Sequence, residues 1–310
     1  MASTHDYAVL SLYVYNVARP AFNRPQLPPG STLAEPLRTD NFFGFSYGVF
    51  RHSSGEVVLA YTGTNEGIDW LSNGLAGTGI LPSPQIAGAA KVYIEAKAAH
   101  GPNITLSGHS LGGGLASVIA VWFNRPAVVF DEGPFEATAL NPLIMAAVAA
   151  SVALSGTAVP AEFLSFIASY PVVYGQREAQ VANHYLQGEA LALLRAAWPT
   201  VMGSDTPIGI NGGSASSVQL HSMALLTAAR LSEDFRLATY ASASVVPLIM
   251  DDKLYAFDTG TSTERNFLID IIRSEQTTPG NSKLSNFSED LSKLGRHRHR
   301  AKRHSLDIGQ

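Results

Sequence analysis

One short stretch carries most of the chemistry in this sequence, Ile104-Thr105-Leu106-Ser107-Gly108-His109-Ser110-Leu111-Gly112-Gly113-Gly114. It holds Gly-x-Ser-x-Gly, with an apolar strand-like run before it and an apolar helix-like run after it. A serine hydroxyl becomes a useful nucleophile only when a neighbouring base takes its proton. A tight, strained strand-to-helix turn lifts such a serine off the sheet, and small residues around it keep strand and helix from clashing. Gly108, Gly112 and Gly113 meet that need. The N–H groups at the start of the helix favour developing negative charge.

The base must be found among nine histidines. His5 lies at the N-terminal tip, His52 in a turn, and His297, His299 and His304 in a basic tail. His100 ends the helix before the serine strand, at the opposite edge of the sheet. His109 adjoins the serine, and backbone direction keeps its ring from Ser110 Oγ. His184 sits in mid-strand. His221 remains, at what reads as a strand-to-helix junction after Val218-Gln219-Leu220. That gives the order nucleophile, acid, histidine.

Three acids could orient the imidazole. Glu189 directly follows the strand Val181–Gly188 and is favoured by element order. Asp131 follows the strand after the serine helix, and Asp205 lies in a Gly/Ser/Thr/Pro loop. Two donors are needed for an oxyanion. The Leu111 N–H is one. The end of the strand Glu56–Tyr61, with Gly63 and Thr64, supplies the other.

These residues need a scaffold of strands and helices. Residues 6–18 read as a helix and 19–41 as a Pro-rich loop. Residues 42–50 and 56–64 form a hairpin across His52-Ser53-Ser54-Gly55. Helices follow at 87–101 and 111–124, and strands at 103–108, 127–133 and 181–187. Residues 218–231 start extended and turn helical, and 264–276 form another helix. Strand–helix alternation from 103 onward implies an α/β protein with a mainly parallel central sheet, and a site at the carboxyl ends of its strands. The expected organisation is one domain over 1–295, with a basic, disordered tail at 296–310.

Residues 137–161 carry no charge and tempt a transmembrane reading, but Asn141, Pro142 and several hydroxyl residues dilute the run. A buried helix or an apolar cap over 137–170 fits better. Leu143, Ile144, Met145 and Phe163 are its candidate acyl-chain contacts.

Composition narrows the function further. The 310 residues include no cysteine, so thiol nucleophiles, disulfides and zinc fingers are excluded. A net charge of −4 gives no global field for nucleic acid. Charged residues are only 15% of the chain, which argues against disorder. Residues 1–6 show no basic segment ahead of an apolar run, so no Sec-type leader is expected. A cytoplasmic enzyme and leaderless secretion fit equally. The tail Arg296–His304 carries five Arg or Lys, a candidate contact for anionic lipid.

Four blocks, in order, resemble the class 3 lipases of the α/β-hydrolase family. Tyr61-Thr62-Gly63-Thr64 is similar to that family's oxyanion loop, with Thr62 where the family has Arg. Asp69-Trp70-Leu71 is similar to the motif that follows. Gly108–Gly113 resembles its nucleophile elbow. Gln187-Gly188-Glu189-Ala190-Leu191 resembles the strand end presenting the acid, with Glu189 in place of Asp, and Leu220-His221 falls where its histidine does. The resemblance implies an α/β-hydrolase fold with helices on both faces of the sheet, and a serine esterase acting on lipids, of triacylglycerol lipase or phospholipase A type. It needs no metal or organic cofactor, and Asp251, Asp252 and Asp258 match no calcium loop. The expected partner is a lipid or ester substrate at a lipid surface. An acyltransferase or thioesterase with the same triad, or an inactive membrane-associating module, are the rival readings.

Overall fold

The computed structural model describes residues 1–40, 44–63, 83–192, 201–251 and 265–278. The chain opens on helix α1 (Thr4–Tyr13), started by a capping box between Ser3 and Asp6. A 3₁₀ turn (Val14–Val17) extends it. The Pro-rich segment that follows is not all loop. It contributes two short strands, β1 (Ser31–Leu33) and β2 (Arg38–Asp40), both antiparallel to β3 (Phe45–His52). β3 turns back as the expected hairpin into β4 (Val57–Tyr61).

From β4 onward the sheet is parallel. Helix α2 (Ser83–His100) leads to β5 (Ile104–His109), and α3 (Leu111–Phe123) leads to β6 (Ala127–Phe130). Three helices, α4 (Glu136–Ala139), α5 (Pro142–Leu154) and α6 (Ala161–Glu178), precede β7 (Val181–Leu186). The last strand among the described residues is β8 (Ser204–Ile208). The eight-stranded sheet runs β1-β3-β4-β5-β6-β7-β8, with β2 also on β3. Strands β4 to β8 are parallel neighbours in chain order. Because right-handed crossovers repeat in one direction, their helices collect on one face.

That face is the larger core. Leu59, Ile104, Leu106 and Val129 point to it, under α2, α3, α5 and α6. The opposite face, through Val58, Ala60, Phe130 and Leu186, is covered by the two ends of the chain. These are α1 together with α7 (Ser217–Leu220), α8 (Met223–Leu231), α9 (Glu233–Ala241), α10 (Val245–Ile249) and α11 (Phe267–Thr277). Helices on both faces of a mostly parallel sheet make this an α/β-hydrolase fold.

Polar bonds pin α1 to the sheet. Buried Glu56 accepts from the Ala2 N–H (2.7 Å), from Tyr7 Oη (2.5 Å) and from Thr105 Oγ1, and Ser11 Oγ meets Ser107 Oγ at 2.7 Å. Satisfied in this way, the buried carboxylate fixes where the helix lies.

Among the described residues no helix is long and apolar enough to cross a membrane. The charge-free segment 137–161 forms α4 after Glu136, all of α5 and the first residue of α6, which runs on through Phe163. Met145 and Phe163 are fully buried and Ile144 nearly so. Phe163 stacks on Trp122 at a centroid distance of 5.0 Å. Trp122 lies about 18 Å along α3 from Ser110, at 1.5 Å per residue. Met145, Phe163 and Ile144 pack into the core, whereas Leu143, 79% exposed, stands at the surface.

His184, on β7, is buried against Phe130, ring centroids 5.8 Å apart. Burial first, and then the charge of Arg230, lower its pKa from 6.5 to about 4. Between those values the unfolded chain binds the proton and the folded one does not, so stability falls as pH falls from 6.5 to 4. The loss from this group is about 3 kcal/mol at the lower end. Replacing His184 with Gln should flatten that part of a denaturation-versus-pH curve, and an unchanged slope would contradict the assignment.

Candidate active site

Ser110 stands between β5 and α3 at φ 60°, ψ −125°, a backbone conformation rare for a non-glycine residue. The surrounding backbone holds it there. The Ser110 N–H donates to Phe130 O (3.0 Å), and Ser110 O accepts from the N–H of Gly114 (3.1 Å) and Gly133 (3.0 Å). Space explains the glycines. A Cβ at Gly112 would lie 2.3 Å from Tyr61 O, and one at Gly108 would lie 2.4 Å from Gly112 O. The elbow therefore fits only because the end of β4, β5 and the first turn of α3 approach backbone to backbone. Gly112→Ala forces those backbones apart and should destabilise the fold by about 3 kcal/mol or more. A melting temperature within a degree or two of wild type would contradict this packing.

His221 Nε2 lies 2.8 Å from Ser110 Oγ, and His221 Nδ1 lies 2.6 Å from Glu189 Oε2. All three residues are largely shielded from solvent, with Glu189 fully buried. Glu189 follows β7 through Gly188 at φ 84°, and the same Oε2 accepts the Leu191 N–H at 2.7 Å. A carboxylate held by a backbone donor is fixed in direction as well as place. Of the three candidate acids, then, Glu189 meets the His221 ring. Asp131 is buried after β6 at φ 42°, and its Oδ1 accepts the Leu186 N–H (3.0 Å). Its Oδ2 faces His109 Nε2 at 3.6 Å. Asp205 lies on β8, exposed, and accepts from Asn183 Nδ2 (2.6 Å). The expected loop around it is an edge strand.

His221 does not leave a strand, as the sequence suggests. It caps α7, whose own start is a capping box between Ser216 and Gln219, and it precedes α8, whose N-cap is Ser222. The break between two helices turns the imidazole toward the strand ends.

Leu111 is the first residue of α3, where a backbone N–H has no acceptor within the helix. Thr64, the Asp69-Trp70-Leu71 block, Asp252, Asp258 and the basic tail lie outside the described residues. The root of the Thr64 loop is described. Buried Thr62 bonds Ser46 three ways. Its N–H and its hydroxyl donate to Ser46 O (2.8 and 3.3 Å), and its hydroxyl oxygen accepts the Ser46 N–H (2.8 Å). Thr62 is thus tied to β3 by its backbone and its hydroxyl. Next to it, Gly63 packs so closely that a Cβ would lie 3.2 Å from Ser110 Cβ.

Two residues near the serine have a place that the sequence does not reveal. His109 turns its ring toward α1, and Tyr15 reaches it from the 3₁₀ turn, with Oη 2.9 Å from Nδ1. Strand alternation at His109 is the only sequence signal for this. His109, Asp131 and His221 bring one donor atom each within 4.8 Å of one another, a spacing a metal ion could use. Both nitrogens of each imidazole are already in hydrogen bonds, so an ion there would have to displace them.

The architecture can now be set beside known proteins. A phospholipase-like family, the Tle-like phospholipase domain, matches residues 24–240. An extracellular phospholipase A1 of Serratia liquefaciens is 40% identical over 102 residues, 32% of this chain and 31% of that protein. The chain therefore aligns with about a third of that relative's length. The solved structure of the native Rhizomucor miehei lipase propeptide complex is 13% identical with a TM-score of 0.37, over 66% of this chain and 67% of that one. The fold assignment rests on the mostly parallel sheet and the helices on its two faces. These matches support the sequence resemblance at the level of lipases and phospholipases. The chain belongs to the Tle-like phospholipase domain family.

Proposed function

We propose that this chain hydrolyses acyl esters of phospholipids, with Ser110 as nucleophile, His221 as general base and acid, and Glu189 as its orienting carboxylate. The observation that carries the reading is the unbroken chain of hydrogen bonds from Ser110 Oγ through His221 to Glu189, at 2.8 and 2.6 Å. His221 Nε2 takes the hydroxyl proton as Ser110 Oγ attacks the ester carbonyl. Glu189 stabilises the imidazolium and keeps Nδ1 protonated. The oxyanion settles on the Leu111 N–H and on Thr64. His221 then gives its proton to the leaving alcohol, and an acyl-enzyme remains on Ser110. Water, deprotonated by His221, releases the fatty acid. No metal or organic cofactor enters any of these steps.

The family match and the phospholipase A1 relative favour phospholipid over triacylglycerol. The four sequence blocks that resemble class 3 lipases fit either substrate, so triacylglycerol is the alternative. Exposed Leu143, Leu154, Leu164 and Val172 on α5 and α6 would sit well against apolar lipid. Incubation with phosphatidylcholine vesicles or triacylglycerol emulsion, followed by chromatography of the products, tests the reading. The expected products are free fatty acid and lysophospholipid, absent with Ser110→Ala. Turnover of triacylglycerol alone would favour the lipase alternative. Release of phosphate or headgroup in place of fatty acid would contradict acyl chemistry altogether.

A further inference from the structure

His109 plays no part in the reaction above, yet its ring is bonded at both nitrogens. Nε2 lies 3.0 Å from the backbone oxygen of His221 and Nδ1 lies 2.9 Å from Tyr15 Oη. A carbonyl can only accept, so Nε2 carries a hydrogen. In the neutral ring Nδ1 then accepts from the Tyr15 hydroxyl. The Tyr15 oxygen in turn accepts the Gly63 N–H at 2.9 Å. Three hydrogen bonds thus run from the backbone just before Thr64 to the backbone of His221.

The His221 carbonyl lies in the break between α7 and α8, next to Ser222, whose carbonyl takes the Leu226 N–H (2.9 Å). The two imidazoles also lie against each other, centroids 4.9 Å apart and planes tilted by 38°. Asp131 Oδ2, buried and without a hydrogen-bond partner among the described residues, faces the same edge of His109. Its charge favours a hydrogen on Nε2.

We propose that Tyr15 and His109 are positioning residues that hold the oxyanion loop and the general base in register with Ser110. The proposal rests on the reading of Ser110 as nucleophile. Reacting groups displaced by about 1 Å can lose about 10²-fold in rate, so a brace of this kind acts on kcat. Substrate affinity does not depend on it.

The test is a double-mutant cycle in ester hydrolysis, with Ser110→Ala as control and melting temperatures for every variant. Tyr15→Phe keeps the ring that packs edge-on against His109 at 6.0 Å. It should lower kcat about 10-fold and leave KM within twofold. His109→Phe should cost about 30-fold, and adding Tyr15→Phe to it should cost nothing more, because the two act through one chain. His109→Gln can still donate to the His221 carbonyl and should recover part of the loss. A Tyr15→Phe enzyme with wild-type kcat, or effects that multiply in the double variant, would overturn the brace while leaving the nucleophile in place. Wild-type turnover that persists in Ser110→Ala would instead remove the reading on which the brace depends.

Discussion

Ser110→Ala should lower kcat on p-nitrophenyl esters by about 10⁵- to 10⁶-fold, with KM nearly unchanged. The size follows from the hydroxyl's role. In the proposed mechanism the acyl bond forms on this hydroxyl, so the residual rate would come only from the oxyanion donors and from binding. The fold should not suffer. The bonds that secure residue 110, to Phe130, Gly114 and Gly133, are made by its backbone, and alanine keeps the same Cβ at φ 60°. An inactive variant with a wild-type melting temperature is therefore the expected outcome. A series of acyl lengths, run in parallel on wild type, would show whether long chains are preferred. Retention of even a tenth of the activity in Ser110→Ala would exclude Ser110 as nucleophile.

Glu189→Gln should cost about 10³- to 10⁴-fold in kcat with little change in structure. The carboxylate takes the His221 Nδ1 hydrogen and the Leu191 N–H on one oxygen. A carboxamide can fill the space, but it carries no charge to stabilise the imidazolium and can turn its NH₂ toward Nδ1. That would select the wrong tautomer, with Nε2 protonated and unable to accept from Ser110. The other acids supply the contrast. Asp131→Asn should lose about 10-fold or less, because Asp131 faces His109 and not the Nδ1 that Glu189 occupies. Asp205→Asn should stay within twofold of wild type, since its carboxylate is exposed on β8 and bonded to Asn183. Steady-state kinetics of the three variants decides among the acids. If Asp131→Asn fell further than Glu189→Gln, the orienting acid would have to be reassigned.

The contrast between what was legible in the sequence and what was not follows the range of the interactions. The elbow is local. Gly108, Ser110 and Gly112 lie within five residues, and the clash distances explain why each glycine is there. His221 could be reached by excluding the other histidines, but the element carrying it could not. Val218-Gln219-Leu220 looks extended, while the Ser216–Gln219 capping box starts a short helix. Strand β8 was hidden by Asp205 and Pro207, residues usually poor in strands but tolerated at an edge. Helix α6 was hidden by the proline at 171. The brace from Tyr15 to His109 joins residues 94 apart, and nothing in either neighbourhood points to the other. The exposure of an apolar run is equally non-local. The same charge-free segment supplies the buried Met145 and the exposed Leu143 two residues earlier.

The most direct measurement of the central claim is covalent labelling with an alkyl fluorophosphonate, which reacts with a serine only when a base and an oxyanion site activate it. Intact-protein mass spectrometry followed by peptide mapping should show one adduct per chain, on the peptide containing Ser110. The adduct should be lost in Ser110→Ala and form far more slowly in His221→Ala. A wild-type protein that hydrolyses esters while remaining unlabelled, or that carries its adduct on another residue, would contradict the assignment of Ser110, His221 and Glu189.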